Sequence, residues 1–118
     1  MDDIFRIERE KATLLITPLV EMGEFDFERI EDGAKGILSL LDDGEVINVI
    51  IDLHNTNYVG TTALGWFVRL WKRVCKHDGQ VALCGVSEYE RDVLRTIKLD
   101  TLWPIYSTME EARKAVLG

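Results

Sequence analysis

The segment from Val46 to Gly79 constrains the fold of this chain more than any other part of the sequence. Val46 to Leu53 is a nearly continuous apolar run, broken only by Asn48 and Asp52, as is typical of a strand covered on both faces. The polar residues that follow are typical of a turn, and a strong helical pattern begins after Gly60. This order predicts a central strand, a polar bend and a helix.

Two adjacent hydroxyl residues, Thr61 and Thr62, open the predicted helix. The free backbone N–H groups and the dipole of a helix N-terminus make such a position favourable for a phosphate group. Threonine is also common as a plain residue at a helix start. Spacing alone therefore leaves two interpretations open, an acceptor of phosphate or an ordinary capping residue.

The remaining apolar patterns alternate between strand and helix and predict an α/β domain with the order β-β-α-β-α-β-α-β-α. Such alternation implies right-handed crossovers and a mixed, mostly parallel sheet of about four to five strands with about four helices. An N-terminal hairpin with its turn at residues 9–11 adds an antiparallel strand. The first helix is predicted to have an Asp26 cap and a Gly44 stop. Capping boxes are predicted at Ser87 (Ser-x-x-Glu) and at Thr108 (Thr-x-x-Glu), and an edge strand from Thr101 to Tyr106.

Length and composition agree with a single domain over residues 1–118. A chain of this length buries a real core, and a hydrophobic content of 47% excludes a disordered chain. No apolar run approaches the roughly 18 residues of a membrane span. The acidic N-terminus lacks the layout of a signal peptide and two cysteines form no disulfide framework, so we expect a cytoplasmic protein. The net charge of −7 argues against nucleic acid or anionic lipid as the main partner and leaves a basic protein partner open.

The predicted second helix, Thr61 to His77, has two apolar sides. One stripe is formed by Leu64, Phe67, Val68, Trp71, Val74 and Cys75. Trp66 and Leu70 lie on a different side, and a helix packed on one sheet needs only the first stripe. The pair therefore predicts a further contact surface beside the two threonines, which would also allow a homodimer. The alternative is a helix that is more deeply buried than one stripe requires.

At this point the chain resembles the STAS domain of bacterial anti-sigma-factor antagonists. That family typically shows Asp-Ser-Ser/Thr-Gly-Leu after a buried strand and a short polar loop, and this chain has the string Gly60-Thr61-Thr62-Ala63-Leu64-Gly65. Gly60 replaces the acidic residue of the family, and Ala63 replaces its glycine. The segments from Gly79 to Ser87 and from Val93 to Leu99 resemble the next strand and the third helix of the family, so the resemblance covers nearly the whole chain.

The resemblance implies a protein that binds a partner and is not an enzyme. Its phosphorylation site would be Thr61, with Thr62 as the alternative, and its partner a serine/threonine kinase of the anti-sigma type. The expected partner-binding residues are Asn57, Tyr58, Gly60, Thr61, Thr62, Trp66 and Leu70. With Gly60 in place of the acid, the domain is either a poor kinase substrate or a docking surface that has lost its switch. The resemblance also allows an accessory subunit docked on the ATPase of an ABC-type lipid transporter.

A reading from a different class is an enzyme or nucleotide-binding module that uses the loop from His54 to Gly60, and it requires a polar cavity beside Thr61. No acid–base pair is visible in the sequence. Asp52 is expected to bind loop amides, and Cys75 and Cys84 are expected in the core. Because His54 and His77 lie at opposite ends of the second helix, we predict no metal site and no cofactor. The acidic N-terminal residues, a solvated surface or a guide for a basic partner, are Glu8, Glu10, Glu21, Glu24 and Asp26.

Overall fold

The computed structural model describes residues 4–21, 27–42 and 44–117 of the chain. Within these ranges the chain forms five strands and four helices. The strands are β1 (Phe5–Glu10), β2 (Thr13–Pro18), β3 (Asn48–Asp52), β4 (Val81–Cys84) and β5 (Ile105–Tyr106). The helices are α1 (Phe27–Leu40), α2 (Thr61–Cys75), α3 (Glu88–Thr96) and α4 (Met109–Leu117), with a 3-10 turn at Leu99–Thr101.

The strands lie in the sheet in the order β1-β2-β3-β4-β5. β1 is antiparallel to β2, and the remaining neighbours are parallel. The predicted class, an α/β domain with a mixed and mostly parallel sheet, is therefore confirmed. From β2 to β5, each strand lies on the same side of the strand that precedes it in the chain. Right-handed crossovers between these parallel strands therefore place α1, α2 and α3 on one face of the sheet. We call this the three-helix face, and α4 follows the last strand onto the opposite α4 face.

The main core lies between the sheet and the three-helix face. Its sheet side includes Phe5, Leu14, Ile16, Val49, Ile51, Val81 and Leu83. Its helix side includes Ile30, Ala34, Ile37, Ala63, Trp66, Phe67, Leu70, Val74 and Leu94. Burial of this apolar surface is the main favourable term that holds the domain together.

The α4 face is covered only in part. Ala112 of α4 packs with Ile50, Ala82 and Cys84, so α4 lies over β3 and β4. The β1–β2 half of this face carries polar side chains and opens into a cavity of about 370 Å³. The residues that line this cavity include Arg6, Glu8, Leu15, Thr17, Asp52 and Arg113.

Three local predictions differ from the structure. Because Glu10 pairs with Thr13, the hairpin turn consists of Lys11 and its neighbour, with a positive φ of 55° at Lys11, and lies later than residues 9–11. β5 lies at the sheet edge as predicted but is shorter, because a 3-10 turn and the buried Trp103 precede it. The expected Asp26 cap lies outside the described residues.

None of the described helices is long and apolar enough to cross a membrane.

Candidate functional site

The polar loop between β3 and α2 lies at the carboxyl ends of the parallel strands, and the end of β2 holds it. The Glu21 carboxylate accepts hydrogen bonds from the backbone N–H of Asn57 at 2.9 Å and of Tyr58 at 3.2 Å. The side-chain amide of Asn55 donates to the carbonyl of Pro18 at 3.4 Å. These contacts give the loop a defined shape immediately before α2.

The start of α3 holds the same loop from the other side. The Thr56 hydroxyl lies 2.5 Å from the buried carboxylate of Glu90 and 3.1 Å from the carbonyl oxygen of Leu53. The Ser87 N–H donates to Glu90 at 2.9 Å, and the Ser87 hydroxyl donates to the carbonyl of Asn57 at 3.0 Å. The capping box predicted at Ser87 is therefore confirmed, and its glutamate also reaches across to the loop.

Burial raises the pKa of Glu90, although hydrogen bonds from Thr56 and Ser87 oppose the shift. A carboxyl group with no solvent exposure favours its neutral form, because its charge is poorly solvated there. This internal contact between loop and helix is a feature that the sequence analysis missed. A capping box is a local signal, and it does not reveal which distant hydroxyl its glutamate will contact.

Asp52 behaves as expected and binds the loop that follows β3. One carboxylate oxygen accepts from the backbone N–H of His54 at 3.0 Å, and the other lies 2.9 Å from His54 Nδ1. Cys84 is buried as predicted, and burial together with the nearby Asp52 charge raises the pKa of its thiol to about 12. An uncharged thiol of this kind is a poor nucleophile.

The N-terminus of α2 is exposed and carries no side-chain cap. Gly60 occupies the N-cap position with extended backbone, and no side chain accepts a hydrogen bond there. The Leu64 N–H donates to the Gly60 carbonyl at 3.0 Å, and the first turn contains no acidic residue. Thr61 is exposed and Thr62 is half-buried. The Thr61 side chain thus lies at a solvent-facing site of positive potential.

The prediction that Trp66 and Leu70 form an exposed contact surface is wrong. Both side chains are fully buried, and the Trp66 ring lies 4.7 Å from that of Phe5 and 5.2 Å from that of Phe67. The physical reason is that α2 packs both on the sheet and against α1, so two of its sides are covered. The alternative, a more deeply buried helix, is the correct one.

The first apolar stripe also differs from the prediction. Leu64, Val68 and Trp71 are only partly buried at the edge of the core. Cys75, expected in the core, is exposed, because it lies on the side of α2 that also carries the exposed Thr61 and Lys72, although the adjacent Val74 is buried. The side of α2 that carries Trp66 is therefore the more deeply buried one.

An exposed pair of tyrosines lies at the same corner of the molecule. The rings of Tyr58 and Tyr89 have centroids 5.6 Å apart, and the two residues are 38% and 54% exposed. We define the α2 corner as Asn57, Tyr58, Gly60, Thr61, Thr62 and Tyr89. Of these, Gly60 is buried and contributes only backbone. Tyr89 was not among the expected residues, because only the tertiary structure places the first turn of α3 beside the loop.

The enzyme reading required a polar cavity beside Thr61. The cavity on the α4 face is lined by Asp52 and His54, and Thr61 is not among its lining residues. Among the described residues, no group of three or more His, Cys, Asp or Glu side chains is arranged to hold a metal ion.

Comparisons with known proteins agree with this geometry. A family model described as the STAS domain matches residues 12–112. An anti-sigma-factor antagonist (STAS) domain protein from Planctomyces limnophilus has a similar structure, with 30% identity, a TM-score of 0.80 and coverage of 97% of this chain and 98% of that chain. No curated protein matches the chain.

Two structures of the anti-sigma factor antagonist SpoIIAA share the fold. The unphosphorylated form is 21% identical, with a TM-score of 0.81 and coverage of 97% of this chain and 96% of that chain. The phosphorylated form of the Bacillus protein is 20% identical, with a TM-score of 0.75 and coverage of 95% and 98%.

Proposed function

Because the chain belongs to the STAS domain family, we propose that it is a cytoplasmic, non-catalytic regulator of the anti-sigma-factor antagonist type. Its partner is a serine/threonine kinase that acts as the anti-sigma factor. The kinase docks on the α2 corner and phosphorylates Thr61. The observation that carries this proposal is the exposed Thr61 hydroxyl at a helix N-terminus that has neither a side-chain cap nor an acidic first turn.

A phosphate on Thr61 is compatible with the folded state. It adds nearly two negative charges and three acceptor oxygens, and the positive end of the α2 dipole stabilises charge of that sign. The first-turn N–H groups precede the first intrahelical hydrogen bond, so they are oriented to donate to phosphate oxygens. The domain therefore stays folded after modification.

A docked partner responds differently to the same phosphate. Binding at the α2 corner removes Thr61 from water, and burial of a phosphate without a compensating cation is costly. Tyr58 and Tyr89 supply the rigid, amphipathic contact area that is typical of binding hot spots. Phosphorylation then dissociates the complex while the antagonist stays folded. This difference between the bound and the free state is the physical basis of the switch.

Gly60 stands where the family has an acidic residue, and the proposal assigns the switch to Thr61 nevertheless. A different carboxylate, that of Glu21, contacts this loop and accepts hydrogen bonds from the backbone N–H groups of Asn57 and Tyr58. The order of the acceptor loop thus comes from tertiary contacts and does not need an acid at position 60.

Affinity capture from native lysate with three immobilised baits tests this proposal. The baits are wild type, Thr61→Val and Thr61→Glu, each supplied with Mg-ATP, and mass spectrometry identifies bound proteins and modified residues. We expect a serine/threonine kinase on Thr61→Val and no kinase on Thr61→Glu. Wild type should carry phosphate on Thr61 and therefore retain less kinase than Thr61→Val. The purified kinase must then reproduce the transfer to Thr61.

Three outcomes contradict parts of the proposal. Capture of an ABC-type ATPase in place of a kinase assigns the protein to a lipid transporter. Capture of a kinase that binds Thr61→Glu as tightly as wild type, with no phosphate on Thr61, removes the switch. Phosphate on Thr62 alone moves the acceptor to the neighbouring residue, which a Thr62→Val bait confirms.

A further inference from the structure

We propose that β1 is an interface through which two copies of this chain pair into a homodimer. Among the strands that the structure describes, β1 lies at the edge of the sheet and pairs only with β2. An unpaired strand edge presents backbone donors and acceptors that another strand can bind. The backbone directions, the open centre and the charge pattern of β1 fit β1 of a second copy of this chain.

The first observation is the direction of the backbone groups of β1. The Ile4 carbonyl accepts from the Leu19 N–H at 2.7 Å and therefore faces the β2 side. Backbone groups of alternate residues point to the same side of a strand. Hence Phe5, Ile7 and Arg9 direct their N–H and C=O groups away from β2, toward the open edge.

The second observation is that the centre of this edge is sterically open. Ile7 is 41% exposed, and the Arg9 side chain is 48% exposed. α1 covers only the Phe5 end, where its Gly33 lies against the Phe5 ring. The described part of β1 contains no proline and no bulge, and its register with β2 is continuous. Proline and bulges, which β1 lacks, are two of the devices that usually block an edge. Charged side chains are a third device, and β1 carries Arg6, Glu8, Arg9 and Glu10.

The third observation is a pattern of charges that complements itself. Arg6 and Glu8 point to the α4 face, and among the described residues neither forms a hydrogen bond or a close ion pair, although Glu8 lies near enough to Arg113 to attract its charge. When Ile7 lies opposite Ile7 of a second antiparallel copy, Arg6 lies opposite Glu8 of that copy. Both ion pairs then form, and they lie at the closer, non-hydrogen-bonded positions of the ladder.

The fourth observation is that the neighbouring registers are unfavourable. Phe5, Ile7 and Arg9 direct their backbone groups toward the open edge, so each of them must lie opposite one of these residues in the second copy. The register can therefore shift only by two residues at a time. One step places Glu8 opposite Glu8, and the opposite step places Arg6 opposite Arg6. Like charges directly opposite each other destabilise a strand pair. Of these three registers, only the one centred on Ile7 places Arg6 opposite Glu8 without placing like charges opposite each other.

This pairing determines how the two copies are oriented. A twofold axis through Ile7 runs perpendicular to the sheet, so the two sheets become continuous and their parallel strands run in opposite directions. The three-helix faces lie on the same side of the joined sheet. The carboxyl ends of β3 lie at opposite edges, which leaves both α2 corners accessible.

Sedimentation velocity of the full chain over a range of concentrations tests the interface. Because the interface is small, we expect the dimer to dissociate reversibly, with a Kd in the micromolar range. Arg6→Glu and Glu8→Arg should each weaken the dimer by about tenfold or more, because each converts both ion pairs into repulsive pairs. The Arg6→Glu/Glu8→Arg double variant restores opposite charges across the seam and should recover affinity to within about threefold of wild type.

Arg91→Glu on α3 makes the same charge change at an exposed position away from β1 and should leave the dimer unchanged. Concentration-dependent protection of the Ile7 amide from hydrogen exchange provides a second measurement, since this N–H is open to solvent in the monomer. A chain that stays monomeric at about 1 mM overturns the proposal. A dimer insensitive to both single variants, or a double variant no better than the singles, overturns it as well.

Discussion

The hydroxyl of Thr56 lies 2.5 Å from the buried carboxylate of Glu90, and this contact joins the loop before α2 to the start of α3. Thr56 has one hydroxyl proton and two acceptors within reach, Glu90 and the Leu53 carbonyl. When Glu90 is ionised, Thr56 donates to it. When Glu90 is neutral, its own proton can serve this contact, so Thr56 can donate to the Leu53 carbonyl. An ionised Glu90 leaves one of the two oxygen pairs without a proton.

The first prediction is that Glu90→Gln changes how stability depends on pH. The pKa of Glu90 is raised above 4.5 in the folded state, so its contribution to stability is fully present below pH 4.5 and is lost as pH rises through the folded pKa. Glutamine stays neutral and can make the same donor and acceptor contacts. We expect the unfolding free energy of Glu90→Gln to rise relative to wild type between pH 4.5 and 8, measured by urea denaturation. Glu88→Gln, exposed on the same helix, should show no such trend.

The second prediction is that Thr61→Glu does not destabilise the fold. A negative charge in the first turn of α2 is stabilised by the helix dipole, by about 0.3–1 kcal/mol at low ionic strength. Thr96→Glu places the same substitution in the last turn of α3 and should lower stability by a similar amount. Thermal unfolding at low and high salt measures both effects. If Thr61→Glu unfolds the domain, the switch cannot act through binding alone.

The third prediction concerns the exposed tyrosine pair of the α2 corner. Tyr89→Ala should change the unfolding free energy by no more than about 1.5 kcal/mol, because it removes one aromatic contact with Tyr58. It should weaken binding of the captured partner by at least about tenfold, as expected for a hot-spot aromatic residue. Titration calorimetry measures the affinity. Leu40→Ala, similarly exposed at the end of α1, is the control and should bind normally.

The fourth prediction separates Trp66 from the partner surface. Trp66→Ala removes a fully buried ring that packs against Phe5 and Phe67. It should lower the unfolding free energy by about 3–5 kcal/mol. Denaturant unfolding measures this loss directly. A loss below about 1 kcal/mol would contradict the buried position of Trp66, because surface substitutions rarely cost more.

The fifth prediction distinguishes the two glycines in the middle of α1. A Cβ atom on Gly33 would lie 2.3 Å from a ring carbon of Phe5, whereas one on Gly36 would meet no atom within 4 Å. Gly36→Ala should therefore raise the unfolding free energy by up to about 1 kcal/mol through helix propensity. Gly33→Ala should lower it by about 1–3 kcal/mol, because the Phe5 ring must move. Equal effects of the two substitutions would show that close packing does not explain Gly33.

Much of the fold follows from local patterns in the chain. The apolar run before Asp52, the capping box at Ser87 and the helical spacing after Gly60 each depend on residues that are close in sequence. The position of Thr61 at the start of α2 follows from the same kind of signal, and the structure places that residue in solvent. The buried state of Cys84 was likewise predicted, because an apolar strand between two helices is covered on both faces.

The errors share a physical cause, which is contact between elements that are distant in the chain. Helical periodicity shows that α2 has two apolar sides, but it does not show that α1 covers the side that carries Trp66 and Leu70. The exposure of Cys75 depends on which sides of α2 the sheet and α1 cover, because the adjacent Val74 is buried. In the same way, Tyr89 joins the α2 corner only because α3 starts beside the loop.

The amino-acid sequence by itself determined the order of strands and helices, the mixed sheet and the hydroxyl at the start of α2, because periodicity and capping act over a few neighbouring residues. Only the tertiary structure decided which side of α2 is buried, which carboxylates hold the loop and which edge of the sheet is open. Those properties depend on Glu21, Glu90 and β1 meeting groups far along the chain, and no local pattern encodes such distances.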